Sequence, residues 1–127
     1  MVRRLLLDSH VLLWIMEDNP RLGPDVRRII ADPGNQIHVS AVSIWELALK
    51  RSLGKLQAPE NLVAAVREYD LIELPVTFDH AEQAGNLPQI HRDPFDRMLV
   101  AQAQAEGLEL VTSDTRIPRY GICTVRV

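Results

Sequence analysis

Leu5-Leu6-Leu7-Asp8-Ser9-His10 changes character at its fourth residue. Val2 to Leu7, which ends in a short aliphatic run, reads as a strand, whereas Ser9 to Met16 has apolar residues on more than one face, as a largely buried helix does. A strand that feeds a helix through an acidic junction is one half of an α/β unit. The next residues supply the other half. Asn19, Pro20, Gly23 and Pro24 mark a loop, and the helical pattern of Asp25 to Ala31 is stopped by Asp32, Pro33 and Gly34. Gln36 to Ser40 then alternates through Ile37, His38 and Val39, and a helix carries Ile44, Trp45, Leu47, Ala48 and Leu49 towards Gly54.

The remainder keeps the same rhythm. Pro59 suits the first turn of a helix with Leu62, Val63 and Val66 at core spacing, Leu71 to Val76 reads as a strand, and Phe78 to Gly85 as a short helix. Leu87 to Arg92 is a loop. Asp93 and Pro94 form a cap and first-turn pair opening a helix with Met98, Leu99, Ala101, Ala103 and Ala105, closed by Gly107. Glu109 to Thr112 is a strand ending at Ser113 and Asp114, and Ile122 to Val127 is a terminal strand after a turn at Pro118 to Gly121. Strands spaced by helices pair in parallel with helices on both faces. The expected fold is therefore α/β, a three-layer α/β/α sandwich with a mainly parallel central sheet, in a single domain spanning residues 1–127.

Composition agrees with that class: 46% hydrophobic and 24% charged residues over 127 positions suit a globular domain able to bury a core. Asp8, His10 and Glu17 interrupt the first apolar stretch, so it lacks the run expected of a signal peptide or membrane span. A cytoplasmic protein with no membrane association is expected. Cys123, the single cysteine, excludes an intrachain disulfide and cysteine-pair zinc motifs, and reads as a small residue in a buried strand. A formal net charge of −3 confines any nucleic-acid contact to local basic clusters such as Lys50, Arg51 and Lys55.

Four acids occupy element junctions or helix starts. Asp8 and Asp114 follow strands, Glu46 lies near the start of the second strand's helix, and Asp96 lies in the first turn of its own. In open parallel sheets ligands collect beyond the carboxyl ends of the strands, where all four can converge. Each also has a bland reading. Asp8 can cap the first helix, Glu46 can close a capping box with Ser43 unless the helix starts nearer Ala41, and Asp114 can be a turn residue. Asp93 reads as a cap with Asp96 favourable to the helix dipole. Jointly, convergence favours a site. Two carboxylates about 5 Å apart repel by roughly 3 kcal/mol at an effective dielectric near 20, a cost that a divalent cation relieves. The histidines show no short ligand spacing and receive no catalytic role; His10, two residues after Asp8, is the one nearest a candidate acid.

Leu5-Leu6-Leu7-Asp8-Ser9-His10, Ser43-Ile44-Trp45-Glu46-Leu47, Asp93-Pro94-Phe95-Asp96-Arg97-Met98-Leu99 and Leu110-Val111-Thr112-Ser113-Asp114 together resemble the PIN domain, and more narrowly the VapC-type toxins. The order and spacing of the four segments make the likeness specific. It implies a metal-dependent endoribonuclease acting as the toxin of a toxin-antitoxin pair, with Asp8, Glu46, Asp96 and Asp114 as catalytic and metal-binding residues and Mg2+, or Mn2+, as the ion. It implies an RNA substrate, a cognate antitoxin and a homodimer, for which apolar faces around Leu53, Leu56, Leu62, Val63 and Val66 are available although most read as core. Ser9 matches a small hydroxyl residue beside the first acid, and Ser113 stands where many relatives have asparagine. Arg97 and Arg116 are the expected cations offsetting the pocket's charge.

A haloacid dehalogenase-type phosphatase needs a second Asp where His10 stands, and a receiver domain needs a late lysine, yet none follows Lys55. A catalytically silent PIN-like module that binds RNA or protein is the alternative.

Overall fold

The structure is a computed structural model describing residues 2–127. Its strands β1 (Arg4–Leu7), β2 (Gln36–Ser40), β3 (Ile72–Leu74), β4 (Glu109–Thr112) and β5 (Thr124–Arg126) form one sheet in the order β3-β2-β1-β4-β5. Every pairing is parallel, with Leu7 opposite Val39 on one side and Val111 on the other. The helices are α1 (Ser9–Glu17), α2 (Pro24–Ala31), α3 (Ala41–Ser52), α4 (Leu62–Glu68), α5 (Phe78–Asn86) and α6 (Pro94–Glu106), with a short 3-10 helix at Ile117–Tyr120.

The central strand explains the layers. Successive side chains of a strand point to opposite faces, so Leu5 and Leu7 enter one core and Leu6 the other, all three with no exposed surface. Leu5 and Leu7 pack in a cluster with Val11, Leu12 and Leu47, drawing α1 and α3 onto that face. Leu6 packs with Leu99, Val100 and Leu110, drawing α6 onto the opposite face. Burying each leucine contributes about 1.5–3 kcal/mol, which accounts for the unbroken aliphatic run where a half-exposed strand would alternate.

Several local expectations need correction. Pro59 lies outside α4, which begins at Leu62 with Asn61 as its cap, its side chain accepting from the Ala64 N–H. β3 is an edge strand of three residues, shorter than Leu71 to Val76, because Pro75 follows it and cannot donate to the ladder. β5 begins only at Thr124, leaving Cys123 exposed ahead of it rather than buried in the strand. Leu62 and Val66 are core, whereas Leu53 is 59% and Val63 44% exposed. Among the described residues no helix is long and apolar enough to cross a membrane.

Candidate metal centre

From β1 the chain crosses over towards β2, and from β4 towards β5, so the sheet changes direction between the two adjacent strands. A crevice opens at such a point, beyond the carboxyl ends. Asp8 is pinned there, since its N–H continues the ladder onto the Val111 carbonyl at 3.0 Å. Its Oδ1 also accepts the Val11 N–H at 2.9 Å, so the capping role is real and coexists with a place in the crevice. Burial raises the Asp8 carboxyl above its ordinary range, against hydrogen bonds from the Thr112 hydroxyl and the Val11 N–H that lower it.

Glu46 sits in the second turn of α3 because that helix starts at Ala41, with Ser40 as its cap accepting from Val42. The capping box with Ser43 does not form, and the buried Ser43 Oγ has no hydrogen-bond partner among the described residues. Glu46 instead turns inward, 3% exposed, and both its oxygens are engaged. Ser9 Oγ donates to Oε1 at 2.5 Å and Lys50 Nζ to Oε2 at 2.6 Å. The hydrogen bond to Glu46 raises the Lys50 ammonium above its usual value, and the charges of Asp93 and Asp96 add to the effect.

Asp96 reports the electrostatics of the whole group. Burial, followed by the charges of Asp93, Glu46, Asp8 and Asp114, pushes its carboxyl up to about 8. Asp93, Glu46, Asp8 and Asp114 therefore all act on Asp96, whereas among the described residues the side chains close enough to share a cation are those of His91, Asp96 and Asp114. Asp93 is the cap of α6, accepting from the Phe95 N–H at 2.8 Å and the Asp96 N–H at 3.4 Å. Asp114 behaves oppositely: burial pushes it up, but the Arg116 side chain and backbone N–H and the His91 ring donate to it and hold it at about 2. The bond from the Arg116 N–H to Oδ1 is the anticipated turn role.

Two contributors escaped the sequence reading. Lys50 lies four residues after Glu46 on one helix face, a signal that was available. His91 is 4% exposed, with Nε2 at 2.8 Å from Asp114 and 3.1 Å from Asp96, a position that only the tertiary fold reveals. Of the two expected cations, Arg116 does pair with Asp114. Arg97 does not face the acids, because its guanidinium donates to the carbonyls of Ala84, Leu87, Pro88 and His91 and ties down the loop before α6. His10 is exposed, near Trp14, and Ser113 is exposed.

Buried carboxylate oxygens in excess over Lys50 and Arg116, with one carboxyl driven to about 8, fit a hard divalent cation that takes oxygen ligands. A cavity of about 580 Å³ lies instead near the amino ends of β2 and β3, where Asp18 is paired with Arg27. Asp18, Asp32 and Asp70 line it, but among the described residues they form no group close enough to share a cation.

A family model described as PIN domain matches residues 5–122. The chain belongs to the PIN domain family. Among curated relatives, this PIN domain is 29% identical over 116 residues to Ribonuclease VapC22 of Mycobacterium tuberculosis (strain ATCC 25618 / H37Rv), covering 89% of the chain and 88% of the relative. It is 39% identical over 72 residues to Ribonuclease VapC16 of the same organism, covering 52% and 51%. In solved structures the PIN domain's fold recurs in VapBC2 from Rickettsia felis bound to a promoter DNA fragment, with TM-score 0.72, 16% identity and coverage of 99% and 98%. DNA-bound VapBC from Salmonella typhimurium gives TM-score 0.72, 21% identity and the same coverage.

Proposed function

We propose that this chain is a metal-dependent endoribonuclease, the toxin of a toxin-antitoxin pair, hydrolysing RNA phosphodiester bonds with Asp8, Glu46, Asp96 and Asp114 around Mg2+ or Mn2+. The observation that carries this reading is the placement of acids at the crevice between β1 and β4, where Asp96 and Asp114 oxygens lie within 4.8 Å of one another and the neighbouring charges of Glu46 and Asp8 help to raise the Asp96 carboxyl. The relative named Ribonuclease VapC22, aligned over most of both chains, supports RNA as substrate. The likeness to chains from VapBC complexes supports a cognate antitoxin and residence in the cytoplasm beside it. Homodimerisation and a single domain over 1–127 belong to the same reading.

When bound, the divalent ion supplies a Lewis acid at the scissile phosphate and acidifies the attacking water. The protein's own contributions follow from its contacts. Ser9 and Lys50 fix the two Glu46 oxygens, so that carboxylate enters the site in one orientation. The Lys50 ammonium, within the acid group's field, lowers the repulsion that an arriving phosphate meets. The Asp93 cap orders the first turn of α6 and with it the Asp96 backbone.

The test is RNA cleavage by the purified, antitoxin-free chain with Mg2+ or Mn2+, with and without a chelator. Cleavage that chelation stops, and that Asp8→Asn and Asp96→Asn each lose, is expected. Intact RNA under both ions would favour the silent binding module instead.

A further inference from the structure

His91 is the buried group that the four-acid reading leaves without a task. It lies in the loop between α5 and α6, and its Nε2 and oxygens of Asp96 and Asp114 all fall within 4.8 Å of one another. That spacing admits two chemistries. As a ligand, His91 would bring nitrogen to the site and shift its preference towards later transition metals. As a donor, it would leave an all-oxygen set suited to Mg2+ or Mn2+.

The other ring nitrogen decides between them. Nδ1 accepts the Asp93 backbone N–H at 3.1 Å, so it carries no proton, and the ring proton resides on Nε2. Nε2 therefore donates to Asp114 Oδ2 at 2.8 Å, with Asp96 Oδ2 alongside at 3.1 Å, and has no lone pair to offer a cation. The ring is also held in place from its own backbone. The His91 N–H donates to Tyr120 Oη at 2.8 Å, and its carbonyl accepts from Arg97 Nη1 at 3.4 Å.

We infer that His91 is a positioning residue and not a metal ligand: it hangs from the α6 cap through Nδ1 and, through Nε2, sets the approach of Asp114 to Asp96. Its effect on the cation rests on the metal-centre reading of the acids, whereas the site of its proton does not. The role predicts that a side chain able to donate at the same reach substitutes for the imidazole, and that a methyl group does not.

Three readouts test this. In the metal-free protein, 15N NMR of the imidazole should show the proton on Nε2, and a spectrum showing it on Nδ1 would overturn the assignment. In the Mn2+-loaded protein, pulsed EPR should show no directly bound histidine nitrogen attributable to His91; a 14N coupling present in the parent and lost in His91→Gln would make it a ligand. For Mn2+ affinity measured by titration calorimetry, His91→Ala should weaken binding by about 10- to 100-fold, the usual cost of losing a group that orients ligands, and His91→Gln should restore most of it. Equal affinity in all three proteins would remove the positioning role. Failure of the parent itself to bind Mn2+ would refute the metal-centre reading while the NMR result still decides the tautomer.

Discussion

Asp96 has its backbone amide in the Asp93 cap and its carboxyl among the other acids, and the two roles pull stability in opposite directions. A carboxyl at about 8 in the folded state, against an ordinary value of 3.8, binds its proton more tightly when folded. Its contribution is therefore present below about pH 4 and is lost as pH rises towards about 8, at about 1.4 kcal/mol for each pH unit separating the two values. In chelator, the melting temperature should fall between those limits, and Asp96→Asn should flatten the fall and leave the variant more stable than the parent at pH 8. A variant less stable at pH 8 would make capping and packing, not repulsion, the larger effect. The same proton competes with a cation, so Mn2+ affinity in titration calorimetry should tighten from pH 6 to pH 8 with proton release. A flat profile would show that Asp96 ionises without help. Lys50 gives a third prediction at this scale. Lys50→Met keeps the stem but removes the charge, and should raise the KM for RNA more than it lowers kcat; an unchanged KM would confine Lys50 to holding Glu46.

At the scale of the element, α6 depends on what precedes it. Arg97 reaches back from the first turn to four carbonyls of the 84–91 region, a set of charge-assisted hydrogen bonds that fixes the loop carrying His91. Arg97→Met should therefore destabilise the protein by about 1–3 kcal/mol in urea denaturation, the cost of leaving mostly part-buried acceptors unmet, and should increase hydrogen exchange in that loop. Unchanged exchange would mean that the loop is held by the contacts of His91 with Tyr120, Asp93 and Asp114 instead. Elements with a local cause were legible in the sequence. The Asp93-Pro94 start and Gly107 stop of α6 are written in caps and a positive φ of 66° at Gly107, and Gln36 to Ser40 is written in its alternation. Where tertiary context decides, the sequence misled. Pro59 carries a helix-start signal that the chain does not use and β3 is short at the sheet's edge, while α3 takes the earlier of the two starts its sequence leaves open, at Ala41. That start is what turns Glu46 from a cap partner into a buried, inward-facing carboxylate. Asp8 and Asp114 were legible as acids at strand ends and Asp96 as one in a first helical turn, whereas Glu46 lies within α3. Lys50 was legible as the i+4 partner of Glu46 on one helix face, whereas His91 and the carbonyl partners of Arg97 depend on contacts across the fold.

For the whole molecule, strand order is what gives the acids a common address. With β1 between β2 and β4, Asp8 and Asp114 leave neighbouring strand ends, while α3 and α6, packed on opposite faces, bring Glu46 and Asp96 in from either side. A sheet ordered otherwise would have kept the four acids apart. The most direct measurement is anomalous diffraction from a crystal of the purified chain soaked in Mn2+. A manganese peak bounded by the carboxylates of Asp8, Glu46, Asp96 and Asp114, and absent from an Asp96→Asn crystal, is the predicted result. A peak elsewhere, or none at these carboxylates at a concentration that supports RNA cleavage, would contradict the account.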